Sequence, residues 1–347
     1  MKRVRELDTV RVLAMFAIIL LHVTAPYTAL ESRLSVGGMN LAFLLNQAVR
    51  FAVPMFLFLS GVVLGLLDRE MRFAPFWKRR LTKIILPYLF WCAVYCAQGT
   101  GFENISASGF VRGVVLGRFA PHLYFVVVIL QLYLVLFPLR RLLKTHRGVT
   151  LTVCAAVTLF FLAAITLRQW GISLLPASFA PYAWICFPTW LFYFAAGLSM
   201  GKERLQKAAA FGKKYFVPLL AVTILLIVPF AWCGRKLGTY ASSARPEILL
   251  WMPVVFLLFL GAAGLVREGR WLDRGIAKLS ACSYTVYLSH VFFLVLLRRT
   301  ERFDGGMRGM LALFLCTCAV SIGFSLLVQA LSDWLGNRKE RKNAALV

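Results

Sequence analysis

Long apolar runs constrain this chain more than any other feature. A helix needs about 20 mostly apolar residues to cross roughly 30 Å of hydrocarbon at 1.5 Å per residue. About ten runs of this kind can be read from the sequence. They lie near 10–30, 41–67, 82–98, 121–139, 149–167, 182–201, 215–233, 247–266, 280–297 and 310–335. The pattern predicts an all-α, polytopic integral membrane protein with about ten transmembrane helices, built as one membrane domain over residues 1–347.

Composition excludes the soluble alternatives. The chain is 60% hydrophobic and 15% charged, whereas a soluble domain is typically about 45–50% apolar and about 25% charged. So few charges could not keep this much apolar surface away from water. Lys and Arg outnumber Asp and Glu by 39 to 14. The basic residues stand in short runs between apolar stretches and not on one soluble face, so we expect no nucleic-acid partner.

The placement of the basic residues predicts the orientation. With a cytoplasmic N-terminus, the loops on that side are 1–9, 68–81, 140–148, 202–214, 267–279 and 336–347. These loops contain 25 of the 39 basic residues and the opposite loops contain 11, which leaves Arg11, Arg50 and Lys83 within or at the edge of spans. The positive-inside rule therefore predicts a multi-pass protein of the cell (inner) membrane with both termini in the cytoplasm.

The cysteines point to neither disulfides nor a metal site. All eight lie inside or at the edge of predicted spans, and none has zinc-like spacing with a histidine. We expect free thiols and no bound metal.

The first span carries two ionisable side chains, Arg11 and His22. Eleven residues make about three helical turns, so both lie on one face, about 16 Å apart along the axis. Arg11 is then near the cytoplasmic end, and His22 lies toward the outer half. Asp8 precedes Arg11 by three residues and can pair with it. Arg11 alone could be an ordinary positive-inside charge, but His22 has no such explanation and is a functional candidate.

The second span contains Arg50 in its outer half, then Pro54, then Ser60 and Gly61. A proline frees a backbone carbonyl, and a Ser-Gly pair lets another helix or a ligand approach closely. We expect this helix to bend around a cavity, although small residues for helix packing are an equal alternative.

The fourth and ninth spans carry further polar side chains. His122 and Tyr124 open the fourth span, while Ser283, Tyr287 and His290 form a stripe spaced by four and three residues in the ninth. Tyr124 could instead be an anchor at the membrane interface. The stripe either joins helices or lines the same cavity as the histidine of the first span.

Five segments in order resemble the membrane-bound acyltransferase family 3. The matching segments are the Arg-x10-His pair Arg11 and His22, residues 50–61 ending in Ser60-Gly61, the basic segment 76–88 leading to Pro87, the Pro-His-Leu-Tyr-Phe segment 121–125, and the Ser-Tyr-Thr-Val-Tyr-Leu-Ser-His segment 283–290. Tyr124 stands where the family commonly has Trp. The resemblance covers most of the chain and implies a short form without an appended soluble domain.

The resemblance implies a membrane O-acyltransferase. It would move an acyl group, most commonly acetyl, from cytoplasmic acyl-coenzyme A to a hydroxyl of an envelope or exported glycan. Acyl-coenzyme A is then a co-substrate, and we expect no permanently bound cofactor. His22 would act as general base or as an acyl-histidine nucleophile. The donor phosphates would be bound by Arg11, Arg79, Arg80 and Lys83 at the cytoplasmic surface.

The remaining candidates would have supporting roles in this acyl transfer. Those that could stabilise the oxyanion or orient the acceptor are Arg50, His122, Tyr287 and His290. Those that support the structure are Asp8, Ser60 and Gly61.

Two other functions stay open. A transporter or flippase of a glycolipid or polysaccharide also explains ten spans with intramembrane charge. Against it stand the lack of a visible inverted repeat and of an intramembrane Asp or Glu suited to ion coupling. A non-catalytic membrane partner of a glycan-synthesis machine is the second alternative, and it predicts that His22 is replaceable.

Overall fold

A computed structural model describes residues 3–29, 35–36, 38–67, 71–303 and 306–344. Among the basic residues used for the orientation, Lys2, Arg69 and the side chains of the run from Arg338 to Lys342 lie outside the described part. The α-helices are α1 (Arg5–Thr24), α2 (Leu41–Ala48), α3 (Ala52–Gly65), α4 (Phe73–Arg80), α5 (Leu86–Gln98), α6 (Ala107–Leu116), α7 (Tyr124–Leu134), α8 (Leu136–Thr145), α9 (Arg147–Arg168), α10 (Leu191–Leu198), α11 (Lys202–Lys214), α12 (Phe216–Lys236), α13 (Ile248–Ala263), α14 (Trp271–Arg298) and α15 (Met307–Ala344).

Short elements complete the fold. Three 3-10 turns cover Ala25–Ala29, Ala180–Ile185 and Phe187–Trp190, and a π-helical turn covers Leu81–Ile85. Two antiparallel strands, β1 (Ser35–Val36) and β2 (Met39–Asn40), form a small hairpin.

The predicted all-α membrane architecture is confirmed. Within the described ranges, seven helical segments are long and apolar enough to cross a membrane, and an eighth is added if the bent pair α7 and α8 is one span. The predicted runs at 182–201 and 247–266 correspond to shorter apolar helices, Phe187–Leu198 and Ile248–Ala263. Every predicted run therefore contains an apolar helix, and the figure of about ten spans stays a prediction.

Prolines explain where the spans bend. The second run breaks between α2 and α3, just ahead of Pro54, as expected from the sequence. The fourth run is not one straight helix, because α7 and α8 meet at 56°. Pro138 lies in the first turn of α8 and has no N–H to donate to the carbonyl of Leu134. The third run passes Pro87 without ending, since the wider π turn lies immediately before it.

Two segments assigned to loops from their basic residues form helices of their own, and parts of the other four, 5–9, 140–145, 271–279 and 336–344, belong to α1, α8, α14 and α15, so those assignments are wrong. Residues 73–80 of the predicted loop 68–81 form α4, which continues through the π turn into α5 as one segment from Phe73 to Gln98. Residues 202–214 form α11. Both helices are amphipathic and too polar to register in a search for apolar runs.

The most buried helices lie at the centre of the bundle. More than half of the apolar window of α1, of the segment Leu41–Gly65 and of α14 is buried, whereas α12 is largely exposed. On α12, Val217 is 71% exposed and Leu225 is 72% exposed. Such an apolar outer surface is suited to lipid and not to water.

Close packing of α3 on α10 accounts for Gly61. A Cβ atom at Gly61 would meet the carbonyl oxygen of Phe194 in α10, and a Cβ at Gly197 would meet that of Phe58 in α3. The two backbones touch where neither residue has a side chain. Of the two alternatives left open for the Ser-Gly pair, the structure supports helix packing at Gly61.

Candidate functional site

A cavity of about 810 Å³ lies at the end of α1 that carries His22. It is bounded by α1, the break between α2 and α3, the turn before α7, the end of α9, the 238–243 loop and α14. Five residues singled out from the sequence line it, namely His22, Arg50, His122, Tyr124 and Tyr287. The break between α2 and α3 therefore borders the cavity.

Three histidines from three different elements meet beside this cavity. The ring centroids of His22 and His122 are 6.0 Å apart, those of His22 and His290 are 5.3 Å apart, and those of His122 and His290 are 4.9 Å apart. His22 is in the last turn of α1, His122 precedes α7, and His290 is in α14. The polar stripe of the ninth span thus lies against the histidine of the first span.

Backbone contacts assign the tautomers of two of these rings. Nδ1 of His290 lies 2.7 Å from the carbonyl oxygen of Tyr287, and Nε2 of His122 lies 3.4 Å from that of Leu288. A carbonyl only accepts, so these nitrogens carry the protons and the opposite nitrogens of a neutral ring carry lone pairs. The opposite nitrogens, Nε2 of His290 and Nδ1 of His122, are buried and have no partner among the described residues.

His22 differs from its two neighbours. It is half-buried, it lines the cavity, and neither of its ring nitrogens bonds to any residue that the structure describes. His122 also lines the cavity, but it is only 2% exposed and its unbonded Nδ1 is buried. Of the three rings, His22 is therefore the most accessible from the cavity.

Tyr287 fixes the turn that carries His122. Its hydroxyl donates to the carbonyl oxygen of His122. On the same side, the Tyr95 hydroxyl donates to the carbonyl oxygen of Leu288 over 2.8 Å. Because the Tyr287 proton is already engaged, a role as oxyanion donor would require this bond to break. In the structure, Tyr287 positions the backbone of His122.

Asn46 connects Arg50 to the end of α1. Arg50 donates through NH2 to Oδ1 of Asn46 over 2.7 Å and through NH1 to the carbonyl of Ala241 over 2.6 Å. The Asn46 amide donates to the carbonyl of Leu21 over 2.9 Å and to the Thr24 hydroxyl over 3.0 Å. The sequence analysis did not include Asn46. Its spacing of four residues from Arg50, on one helical face, was a signal that could have found it.

Arg11 lies at the opposite end of α1 and does not line the cavity. Its NH1 donates to the Ser280 hydroxyl over 2.7 Å and to Oδ1 of Asp8 over 3.3 Å, so the pair expected between Arg11 and Asp8 is present. Asp8 also accepts from Arg3, which bonds to Asp273 in turn. The Arg11 side chain is 27% exposed, and its other two nitrogens bond to none of the described residues.

The basic cluster of Arg79, Arg80 and Lys83 lies on α4 and the π turn. The Arg80 guanidinium carbon is 4.4 Å from the ring centroid of Phe76 and 5.0 Å from that of Tyr133, a cation–π arrangement. Arg79 and Lys83 are exposed. Arg80 is therefore engaged by aromatic rings, and the other two remain available to an anion.

The cluster and Arg11 face the same part of α14. The Tyr284 hydroxyl donates to the carbonyl of Ile84 in the π turn over 3.0 Å, and Tyr284 follows Ser280, the partner of Arg11, by one turn. The structure thus brings the predicted donor-binding residues to one end of the bundle, at the opposite end of α1 from His22.

Buried side chains separate the two ends of α1 among the described residues. Arg11, Met15, Ile18 and His22 follow one face of α1. Ile18 lines the cavity, whereas Met15 is fully buried below it. A donor that binds near Arg11 would have to displace this packing to reach His22.

Arg245 was counted from sequence only as a loop charge, yet it is fully buried. Its NH1 donates to Oε1 of Gln47 over 2.8 Å, its guanidinium lies over the ring of Phe230, and its Nε is 3.3 Å from Oε1 of Glu247. Arg245 therefore braces the 238–247 loop, which forms part of the cavity wall, against α2.

All eight cysteines are free. In the part of the chain that the structure describes, no group of three or more His, Cys, Asp or Glu side chains is arranged to hold a metal ion.

The fold and the site define an integral membrane protein with a cavity lined by histidine and arginine at one end of its helical bundle. The family model described as an acyltransferase domain, acyltransferase family 3, matches residues 4–330. The chain belongs to this family of acyltransferases.

Two relatives illustrate the range of the similarity. The chain is 26% identical over 312 residues to a Bacillus subtilis (strain 168) protein with the provisional name membrane-bound acyltransferase YfiQ, covering 85% of this chain and 82% of the relative. It is 23% identical over 340 residues to a Staphylococcus aureus (strain MSSA476) protein with the provisional name poly-β-1,6-N-acetyl-D-glucosamine export protein, covering 94% of each. No solved structure matches the chain at a significant level.

Proposed function

We propose that this acyltransferase takes an acyl group, acetyl in the simplest case, from cytoplasmic acyl-coenzyme A and transfers it to a hydroxyl of an envelope or exported glycan. The observation that supports this most directly is the placement of His22, which faces a cavity of about 810 Å³ and whose ring nitrogens bond to none of the described residues. A base must reach the proton it removes, and His22 is accessible from the space where an acceptor would lie.

The chemistry requires His22 first to accept a proton and then to donate it. As the acceptor oxygen attacks the thioester carbonyl, the imidazole takes the hydroxyl proton, and a tetrahedral oxyanion forms. Collapse breaks the carbon–sulfur bond, and the proton passes from the imidazolium to the leaving thiolate of coenzyme A. Arg50 lines the same cavity, and its guanidinium would stabilise the oxyanion.

A covalent route uses the same residue. The His22 imidazole would attack the thioester and release the thiolate, which takes the ring proton, and would hold the acyl group until the acceptor hydroxyl attacks it. The acyl–nitrogen bond then breaks and the hydroxyl proton returns to the imidazole. Donor and acceptor would then never need to occupy the cavity together, which is compatible with the buried Met15 between the two ends of α1.

The donor would bind at the Arg11 end. Arg11 has two nitrogens free of partners among the described residues, and Arg79 and Lys83 are exposed nearby. Guanidinium and ammonium groups of this kind bind phosphate. The segments that meet Arg11 and those that border the cavity were predicted from sequence to lie on opposite sides of the membrane, as a transmembrane transfer requires.

Mass spectrometry of the host's envelope glycans would test the reaction. We expect an acyl group to be present in wild type and absent both in a deletion strain and in His22→Ala, with His146→Ala, an exposed histidine outside the cavity, as the matched control. Full acylation in His22→Ala at normal expression would contradict the role of His22. The donor end is tested separately by binding of acetyl-coenzyme A to purified protein, where unchanged affinity in Arg11→Ala would remove Arg11 from the donor site.

Export of a glycan is the second candidate, because the Staphylococcus aureus relative carries an export name and aligns over 94% of this chain. The same deletion strain distinguishes the two functions. A transferase predicts glycan at the cell surface that lacks the acyl group. An exporter predicts glycan retained inside the cell, with export preserved in His22→Ala.

A further inference from the structure

The cavity beside His22 carries a concentrated positive charge. Arg50, Arg168 and Arg298 all line it, and the lining residues that the structure describes include neither Asp nor Glu. These arginines come from three distant parts of the chain, so local sequence repetition does not explain why they meet.

The side chains of Arg50 and Arg298 bond to carbonyl and amide oxygens, and that of Arg168 bonds to none of the described residues. Arg298 donates only through NH2, over 3.4 Å to the carbonyl of His22 and 3.2 Å to that of Val23. Arg50 donates to Ala241 and Asn46. The exposed side chain of Arg168 has neither a hydrogen bond nor an ion pair with the described residues. Among the residues that are described, no carboxylate neutralises any of the three.

Unneutralised charge in a cavity walled by a membrane protein is unfavourable. Guanidinium nitrogens in a fixed plane match the oxygens of a carboxylate or a phosphate. Arg298 contacts the backbone of His22 itself, so an anion bound there would lie next to the reacting centre. Arg168, being exposed, marks the side from which such a ligand enters.

We propose that the cavity binds an anionic group, a carboxylate or a phosphate, on the ligand that reacts at His22. The inference rests on the proposed acyl transfer for its position and adds a substrate class to it. The anion has two sources. One is an acyl group that ends in a second carboxylate, and the other is an acceptor glycan that bears a carboxylate or a phosphate.

Binding of matched probes to the purified full-length protein tests the proposal. The first pair is methyl β-glucuronide and methyl β-glucoside, which differ at one carboxylate. The second pair is succinyl-coenzyme A and acetyl-coenzyme A. We expect the anionic member of at least one pair to bind about tenfold more tightly, which corresponds to about 1.4 kcal/mol. A preference within the sugar pair assigns the anion to the acceptor, and one within the coenzyme A pair assigns it to the acyl group.

Arginine variants show whether the preference arises in this cavity. Arg168→Gln and Arg298→Gln should remove most of it, whereas Arg299→Gln, a neighbouring exposed arginine that does not line the cavity, should keep it. If Arg298→Gln does not fold, Arg168→Gln still tests the proposal. The Arg168 side chain makes no hydrogen bond or ion pair with the described residues, so its replacement should not affect folding. Equal binding within both pairs, or a preference unchanged in Arg168→Gln, would overturn the proposal.

His22→Ala separates this inference from the proposed reaction. It should keep the preference for the anionic probe while losing acyl transfer. If the His22→Ala protein still acylates glycan and still prefers the anionic probe, the proposed reaction at His22 is refuted and the anion site is supported.

Discussion

Replacing Asn46 by Leu should disconnect Arg50 from the end of α1. Asn46 is 1% exposed and makes four side-chain hydrogen bonds, accepting from Arg50 and Gln47 and donating to Leu21 and Thr24. Leucine is close to asparagine in size but can make none of these hydrogen bonds. The shortest, at 2.7 Å, is the one from the Arg50 guanidinium.

The expected loss of stability follows from that list. A hydrogen bond to a charged group contributes about 1.5–3 kcal/mol, and an unsatisfied buried neutral donor or acceptor costs about 1–3 kcal/mol. Thr24 keeps its own bond to the Leu20 carbonyl and the Gln47 contact is long, at 3.3 Å, so we count the loss as about 3 kcal/mol. For a chain of this size, this corresponds to a fall in melting temperature of about 5 °C.

Thermal unfolding of the detergent-purified protein, followed by tryptophan fluorescence, measures this fall. Asn104→Leu is the matched control, since Asn104 is an exposed loop asparagine that bonds to Thr100 and Glu103. Asn46→Asp keeps an acceptor for Arg50 and should recover part of the loss. A melting temperature for Asn46→Leu equal to that of Asn104→Leu would refute the role given to Asn46.

Two further substitutions test the packing and the histidine cluster. Gly197→Ala should destabilise the protein by about 1–3 kcal/mol, because the new Cβ meets the carbonyl of Phe58, whereas Gly275→Ala, with open space around it, should not. Equal melting temperatures for the two variants would contradict the close contact of α3 and α10. Tyr287→Phe removes the hydroxyl that holds the His122 carbonyl and should lower the initial rate of acyl transfer about tenfold with little change in expression. An unchanged rate would show that this bond does not position the site.

Helical periodicity and local chemistry accounted for much of the fold. The apolar runs located the helices, Pro54 marked the break beside Arg50, and the spacing of Arg11 and His22 placed them on one face at opposite ends of α1. These features depend on residues close in sequence, which is why the sequence predicts them.

The remaining features depend on contacts between distant segments. The basic helices α4 and α11 were mistaken for loops, because charge hides a helix from a search based on apolar length. Arg245 was predicted only as a loop charge, since its partner Gln47 lies far away along the chain. The meeting of His122 and His290 with His22 likewise depends on how α14 packs on α1, which a single sequence does not determine.

The most direct test of the central claim is transfer by purified protein reconstituted in lipid vesicles. The assay supplies acetyl-coenzyme A with a labelled acetyl group and envelope glycan from a deletion strain, and it compares wild type, His22→Ala and His146→Ala. A general base typically contributes about 10²–10⁴-fold, so the His22→Ala rate should fall at least about 100-fold. His146→Ala should transfer at the wild-type rate, and binding of acetyl-coenzyme A should be unchanged in both. Transfer by His22→Ala at a rate close to wild type would contradict catalysis by His22.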